Sequence, residues 1–146
     1  GNTEGRTIYY EHETGTDQVQ GGSTTAIVAS IESGDFDITQ QRSSQGQQTG
    51  VATLRGDGEF LMKIRRFVPD FLSQTGNTQV TFLLRDFPND TQASSALGPF
   101  TISSSTKKVD TRARARAVAL KVANTTTNQS WKLGTFRLDI QPDGRR

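Results

Sequence analysis

No cysteine occurs in this chain of 146 residues, and histidine, methionine and tryptophan occur once each. The absence of cysteine excludes disulfides, iron–sulfur clusters, thiolate zinc sites and a cysteine nucleophile. The single histidine, His12, excludes a His-rich metal centre and is the only candidate for a Ser–His–Asp triad. No apolar run approaches the ~20 residues of a membrane-spanning helix, and no signal-peptide pattern is present. We therefore expect no cofactor, no metal and no membrane partner.

Apolar residues are also scarce, at 32% of the chain, although eight Phe and one Trp are enough to seed a core. Charged residues reach 22%, an ordinary value that argues against wholesale disorder. The length corresponds to one domain, and neither an internal repeat nor a second domain is evident. Because the first residue is Gly1 rather than Met, we expect residues 1–146 to be a single domain cut from a longer protein.

Charge is divided unevenly along the chain. Residues 1–106 carry 7 basic and 12 acidic residues, whereas residues 107–146 carry 10 basic and 3 acidic residues. A basic segment on an acidic body is typical of a protein that binds an anionic polymer such as nucleic acid. It is equally typical of subunits whose basic edge meets the acidic face of a neighbour, or of an ordinary solvated surface.

Four segments alternate apolar and polar residues with a period of two, which is the pattern of a half-buried β-strand. They cover residues 25–33, 60–68, 78–86 and 136–141. In the second segment, the alternation places Met62, Ile64 and Val68 on one face and Phe67 on the other. Turn residues (Gly, Asp, Asn and Pro) separate the segments. We predict an all-β fold, namely an antiparallel β-sandwich of jelly-roll-like or Ig-like type.

Residues 109–123 alternate Arg with Ala and then become rich in Val and Leu. Ala and Arg favour a helix, but a helix would scatter the apolar residues without forming a stripe, so we predict one strand. One face of that strand would carry Arg112, Arg114, Arg116, Val118, Leu120 and Val122. The Arg half would then overhang the sheet while the Val/Leu half enters the core.

Residues 40–50 are polar throughout and rich in Gln, Ser and Gly, so they cannot bury themselves. We predict a loop here that is either flexible or ordered by a partner. Its candidate contact residues are Gln40, Gln41, Arg42, Gln45, Gln47 and Gln48. A second polar loop is predicted at residues 124–130.

Residues suited to catalysis or metal binding are few. His12 lies between Glu11 and Glu13, and a catalytic role would need partners from distant parts of the chain. The pairs Asp35/Asp37 and Asp57/Glu59 could bind calcium or hydrolyse a glycosidic bond, but turn-associated Asp beside Gly is the commoner interpretation. We predict no catalytic residues, and we rank a hydrolase last among the possible functions.

Two short motifs carry little weight. Residues 55–57 spell Arg-Gly-Asp, but three residues recur by chance, and Asp57 is better explained as a turn residue. Three N-glycosylation sequons, at Asn89, Asn124 and Asn128, would matter only in a secretory pathway, for which there is no sign.

The most distinctive charge feature is the row of Arg112, Arg114 and Arg116. Such a row could neutralise phosphates without reading sequence, and no aromatic pair of the kind that stacks on bases accompanies it. Arginine is equally the preferred cation at protein interfaces. The candidate subunit or DNA contacts are Arg112, Arg114, Arg116, Arg145 and Arg146.

Seven segments of the chain, taken in order, form a pattern that can be compared with known families. They are YYEHETGTD (9–17), SIESGDFDI (30–38), GDGEFLMKIRRFVPDF (56–71), LRDFP (84–88), ALGPFTI (96–102), KVDTRARARAVALKVAN (108–124) and WKLGTFRLDIQPDGRR (131–146). Together they resemble the C-terminal region of the tail nozzle proteins (tail tubular protein B) and virion stabilisation proteins of short-tailed bacteriophages. The final segment is the most specific part. Its matching residues are Trp131, Leu133, Gly134, Arg137, Leu138, Asp139, Gln141, Pro142, Asp143, Gly144, Arg145 and Arg146.

The resemblance implies a structural role without an active site. Such proteins form a ring, typically a hexamer, that continues the DNA conduit and docks adaptor, fibre or spike proteins. The expected location is the virion tail, and the cytoplasm of the bacterial host before assembly. The family also has more chain upstream, whereas residues 39–55 depart from its pattern by separating two segments that normally adjoin.

Two further functions stay open. One is a receptor- or carbohydrate-binding β-sandwich module of a phage tail. The other is a sequence-independent nucleic-acid-binding domain that uses the row of three arginines.

Overall fold

The computed structural model describes residues 16–19, 23–26, 28–42, 48–53, 60–87 and 95–144, with side chains for 28–38, 60–87 and 95–144. These residues form strands and the turns between them, and the described part of the chain contains no helix. The strands are β1 (Thr16–Val19), β2 (Ser23–Ala26), β3 (Ser30–Glu32), β4 (Thr39–Arg42), β5 (Gln48–Thr53), β6 (Met62–Val68), β7 (Phe71–Thr75), β8 (Thr78–Arg85), β9 (Ser95–Ile102), β10 (Val109–Ala115), β11 (Ala117–Ala123), β12 (Ser130–Leu133) and β13 (Arg137–Pro142).

Every pairing between these strands is antiparallel. One sheet has three strands in the order β10-β6-β13, and another has four in the order β3-β11-β8-β9. The remaining described strands pair two by two, as β1-β2, β4-β5 and β7-β12. The fold is therefore all-β and consistent with the predicted antiparallel β-sandwich.

The two larger sheets contribute to one hydrophobic core. Strand β8 alternates strictly, and its residues Val80 and Phe82 are fully buried, as the sequence pattern predicts. Phe67 of β6 meets the Phe82 ring edge-on, with 5.8 Å between the ring centroids. Edge-to-face contact between aromatic rings adds stability beyond the buried area, so this pair helps to join the two sheets.

The prediction that residues 109–123 are strand and not helix is confirmed, but they form two strands and not one. The chain bends at Arg116 and divides into β10, which pairs with β6, and β11, which pairs with β3 and β8. In β10 the odd-numbered Ala113 and Ala115 are buried, whereas in β11 the even-numbered Val118 and Leu120 are buried. The arginines therefore do not share a face with the Val/Leu half, because the inward parity changes where the chain passes from one sheet to the other.

A bulge also overturns the predicted faces of β6. Across from β13, Arg66 matches Asp139 and Ile64 matches Ile140, so Arg65 is an extra residue. An extra residue inverts the alternation beyond it. Phe67 consequently joins Ile64 in the core at 0% exposure.

Two other segments differ from their predictions. Residues 25–33 do not form one strand, since β2 and β3 belong to different sheets and Ile31 is 51% exposed. Residues 40–50, predicted as a loop, begin in β4 and end in β5, which pair as a hairpin. A β-ladder needs only backbone donors and acceptors, so polar side chains do not prevent it. Residues 43–47 lie outside the described residues, and ordering by a partner stays a prediction.

A basic face on the three-stranded sheet

The outer face of the β10-β6-β13 sheet carries seven of the twelve basic side chains that the structure describes. Alternate side chains of a strand point to opposite faces, and one face of this sheet covers the core. The outward positions therefore hold mostly polar residues. We call the following cations the basic face: Lys63, Arg65, Arg66, Lys108, Arg112, Arg114 and Arg137.

One row across the sheet is internally neutralised. The register places Arg66 between Asp110 on β10 and Asp139 on β13. The Arg66 Nε donates to Asp110 Oδ1 at 2.7 Å, and the Lys108 Nζ lies 3.6 Å from Asp110 Oδ2. The hydrogen bond from Arg66 is the largest cause that lowers the pKa of Asp110, against a smaller opposing effect of burial. The pKa of Arg66 is raised in turn, chiefly by the same hydrogen bond.

Arg114 is held at the other end of the sheet. Its Nε donates to Asp143 Oδ2, and its Nη2 lies 3.4 Å from the Asp143 carbonyl oxygen. Asp143 is itself fixed, since its backbone N–H donates to the Leu61 carbonyl at 2.8 Å. The Leu61 N–H returns a bond to Gly144, whose φ of 90° is one that glycine adopts without strain. The Asp-Gly turn thus positions the carboxylate that receives Arg114.

Four cations of the basic face have no ion-pair partner among the described residues: Lys63, Arg65, Arg112 and Arg137. Lys63 lies opposite both Arg114 and Gln141 in the register. Arg65, at the bulge of β6, lies across from residues 111 and 112, which are unmatched in the pairing of β10 with β6. Three of the four, Lys63, Arg65 and Arg112, therefore lie at or beside the bulge.

Thr111 explains how the bulge keeps Arg112 in solvent. The Thr111 side chain turns inward, is 9% exposed, and donates from Oγ1 to the Ile64 carbonyl at 2.8 Å. A buried carbonyl without a partner is costly, so this bond stabilises the irregular pairing. With Thr111 inward, its neighbour Arg112 faces outward and is exposed.

The structure separates the predicted contact residues. Arg112 and Arg114 lie on the basic face, whereas Arg116 is half-buried at the bend, where its N–H donates to the Arg85 carbonyl at 3.1 Å. Arg145 and Arg146 lie outside the described residues. Four of the candidate loop contacts lie on β4 and β5, where only the backbone is described: Gln40, Gln41, Arg42 and Gln48. The other two, Gln45 and Gln47, lie outside the described residues.

Sequence reasoning missed Lys63, Arg65 and Arg137 as members of this face. Lys63 and Arg137 are far apart in the chain, and only the pairing of β6 with β10 and β13 brings them to one surface. Alternation within β6 does predict that Lys63 and Arg65 share a side. The sequence contains no signal that identifies which two strands flank β6.

The other candidate residues have structural partners, lie in an exposed turn or lie outside the described residues. Asp35 pairs with Arg85 at 3.2 Å. Asn124 is buried, and its Oδ1 accepts from the Ala29 N–H at 2.9 Å. Asn128 is exposed, with a φ of 58°. His12, Glu11, Glu13, Arg55, Asp57, Glu59 and Asn89 lie outside the described residues.

The described residues hold neither a cluster of metal ligands nor a membrane-spanning helix. No group of three His, Cys, Asp or Glu side chains in that part is arranged to hold a metal ion. No helix long and apolar enough to cross a membrane occurs in the same residues. The absence of a metal, a cofactor and an active site stays a prediction.

A groove of about 310 Å³ lies between residues 69–74 and residues 102–106. Three of its polar side chains, those of Gln74, Ser103 and Thr106, bond to neighbouring protein groups. The Gln74 Nε2 donates to the Ile102 carbonyl at 2.7 Å, and the Ser103 and Thr106 hydroxyls lie 3.1 Å apart. The groove therefore has fewer free polar groups than its composition suggests.

In the final segment, residues 131–146, the apolar residues and the polar residues have different places in the fold. Trp131, Leu133 and Leu138 pack against the core. Gly134 approaches Asp70 so closely that an added Cβ would lie 3.0 Å from the Asp70 carbonyl oxygen. Among the segment's polar members, Arg137, Asp139 and Gln141 point outward and are exposed.

No protein-family model matches the chain, and neither a curated protein nor a solved structure shows significant similarity to it. The resemblance to the tail nozzle proteins therefore depends on the residue pattern alone.

Proposed function

We propose that the chain is a non-enzymatic structural domain of a bacteriophage tail, of the nozzle or tail-tube kind. In this proposal it associates with copies of itself into a ring, typically hexameric, around the DNA conduit. The ring also docks adaptor, fibre or spike proteins. Its location is the virion tail, after synthesis in the cytoplasm of the bacterial host.

The observation that carries the proposal is the sequence pattern of the final segment together with its placement. The apolar residues and Gly134 are needed to build the fold, as their packing explains. Arg137 and Gln141 lie at the surface, where nothing in the described part of the chain requires them. Surface residues that the fold does not need are candidates for contact with other molecules.

The sheet edges support an assembling domain. Strands β10 and β13 are the two edges of the three-stranded sheet as described. An edge strand presents unpaired N–H and C=O groups, which can pair with a strand from another chain. Adjacent copies in a ring could extend the sheet in this way.

Two measurements test the proposal. Sedimentation velocity over a concentration series, with negative-stain images of the largest species, should show a closed ring. Immunogold labelling of purified phage particles with an antibody against the chain should mark the tail. A monomer at every concentration would contradict ring formation, and particles without label at the tail would contradict the tail assignment.

A further inference from the structure

The cations of the basic face exceed the carboxylates that could neutralise them. Seven basic side chains face three carboxylates, and each of these already serves a cation. Asp110 binds Arg66 and Lys108, Asp143 binds Arg114, and Asp139 lies opposite Arg66. The four cations that remain are Lys63, Arg65, Arg112 and Arg137. The face therefore carries a positive charge that the described residues do not compensate.

The arrangement suits a long anionic partner better than a single small anion. Neighbouring strands lie about 4.8 Å apart and alternate residues of a strand about 6.7 Å apart, so the cations form a grid. From Lys63 to Val68, which lies opposite Arg137, strand β6 extends about 17 Å. A polymer with regularly spaced negative charges can contact several of these cations at once.

The side chains on this face favour nucleic acid over an acidic protein. Stable protein interfaces have centres rich in aromatic residues and poor in charge. Among the outward residues of the three described strands none is aromatic, and the apolar Val68 is half-buried. The same lack of aromatic residues leaves no platform on which bases could stack. Contact would thus be with phosphates and not with bases.

We propose that the outer face of the β10-β6-β13 sheet binds the phosphate backbone of nucleic acid without reading its sequence. The four unneutralised cations provide the contacts, and the bulge at Arg65 brings two of them, Arg65 and Arg112, together. This site does not depend on the proposed tail function, because it follows from the charges and the strand register alone.

The test is fluorescence anisotropy of the whole chain with a short labelled DNA duplex of random sequence. With four phosphate contacts, log K should fall against log salt concentration with a slope of about −3.6. Binding should then be about 50-fold weaker at about 0.15 M salt than at about 0.05 M. A second duplex of different sequence should bind equally well, since phosphate contacts carry no sequence information.

A matched pair of variants distinguishes the contribution of the basic face to DNA binding from that of the overall charge of the protein. Arg65→Gln/Arg112→Gln removes two contacts and should reduce the slope to about −1.8. Lys121→Gln/Lys132→Gln removes the same charge from β11 and β12, outside the sheet, and should leave the slope unchanged. Arg65→Lys/Arg112→Lys keeps the charge and should restore the slope, because Lys also neutralises a phosphate as a point charge.

Three results would overturn the proposal. The first is the absence of duplex binding at about 0.05 M salt, where phosphate contacts are strongest. The second is an equal loss of binding in the face variant and in the β11/β12 control. The third is a face variant that loses self-association, measured by sedimentation, while its DNA binding is unchanged. That last result would assign the face to an acidic surface of another copy.

Discussion

Strands β10 and β11 follow each other directly in the chain yet meet opposite environments. In β10, small Ala113 and Ala115 face the core and the arginines face solvent. In β11, the large Val118 and Leu120 face the core. The two halves therefore contribute to the core differently, with small buried side chains from β10 and large ones from β11.

The difference arises at a single bend. Arg116 continues the hydrogen bonding toward β8 through its N–H and the Arg85 carbonyl, while β10 before it pairs with β6. Strands pass from one sheet to another through bends or bulges, and here the bend at Arg116 separates odd-numbered inward positions such as Ala113 from even-numbered ones such as Val118. Before the bend, Arg112 and Arg114 lie on an open face.

The largest expected effect comes from shortening a buried side chain of β11. Leu120→Ala should lower the free energy of unfolding by about 3 kcal/mol, because Leu120 is 3% exposed and its removal leaves a cavity. Chemical denaturation measures this loss. Lys121→Ala, on the adjacent outward position, is the control and should change stability by less than about 0.5 kcal/mol. Equal losses in the two variants would contradict the assigned inward face of β11.

Enlarging a core residue of β10 should have the next largest effect. Ala115→Leu should destabilise the fold by about 2 kcal/mol, because Ala115 has no exposed surface and lies beside Met62. Arg112→Leu adds the same side chain on the outer face and should cost less than about 0.5 kcal/mol. Urea unfolding of both variants distinguishes the two sides of β10. A larger loss from Arg112→Leu would mean that the sides are reversed.

Removing one hydrogen bond at the bulge should have a smaller effect. Thr111→Val keeps the side-chain volume but leaves the Ile64 carbonyl without its hydroxyl donor, at a cost of about 1 kcal/mol. The control is Thr101→Val, an exposed position on β9 that should be nearly neutral. Thermal unfolding followed by circular dichroism measures the difference, and equal melting temperatures would show that the bond contributes nothing.

The smallest effect is a dependence of stability on pH. Because the folded state lowers the pKa of Asp110 below its ordinary 3.8, this group stabilises the fold above that pH. The contribution is lost as the pH falls further, through the pKa of the folded state. Urea midpoints measured downward from about pH 5 should fall less steeply in Asp110→Asn than in the unmodified chain. Arg66→Gln removes the partner and should reduce the slope similarly, whereas an unchanged slope in both variants would contradict the role of this ion pair.

Local alternation explains what the sequence predicted well. In β8, Val80 and Phe82 differ sharply from their polar neighbours, so the period of two identifies both the strand and its inward face. In β10, Ala is compatible with either face, and the continuous Arg/Ala pattern conceals the bend. Arg112 and Val118 are both at even-numbered positions, so an unbroken strand would place a charged and an apolar side chain on the same face. This mismatch is the signal that a change of face lies between them.

The basic face was only partly predictable. Arg112 and Arg114 are obvious in the sequence, but Lys63 and Arg137 join them only through strand pairing between distant segments. Pairing of this kind depends on how whole faces match in the core, and single-residue preferences do not determine it. The bulge at Arg65 depends on the same long-range fit.

Labelling of single cysteines tests the change of face most directly, since the chain has no native cysteine to interfere. Five variants cover the two halves of the segment: Arg112→Cys, Ala113→Cys, Leu120→Cys, Lys121→Cys and Val122→Cys. Rates of maleimide modification under native conditions should be fast at 112 and 121 and slow at 113, 120 and 122. Fast modification at even-numbered positions in both halves would show that one face runs unbroken through Arg116, and would contradict the account.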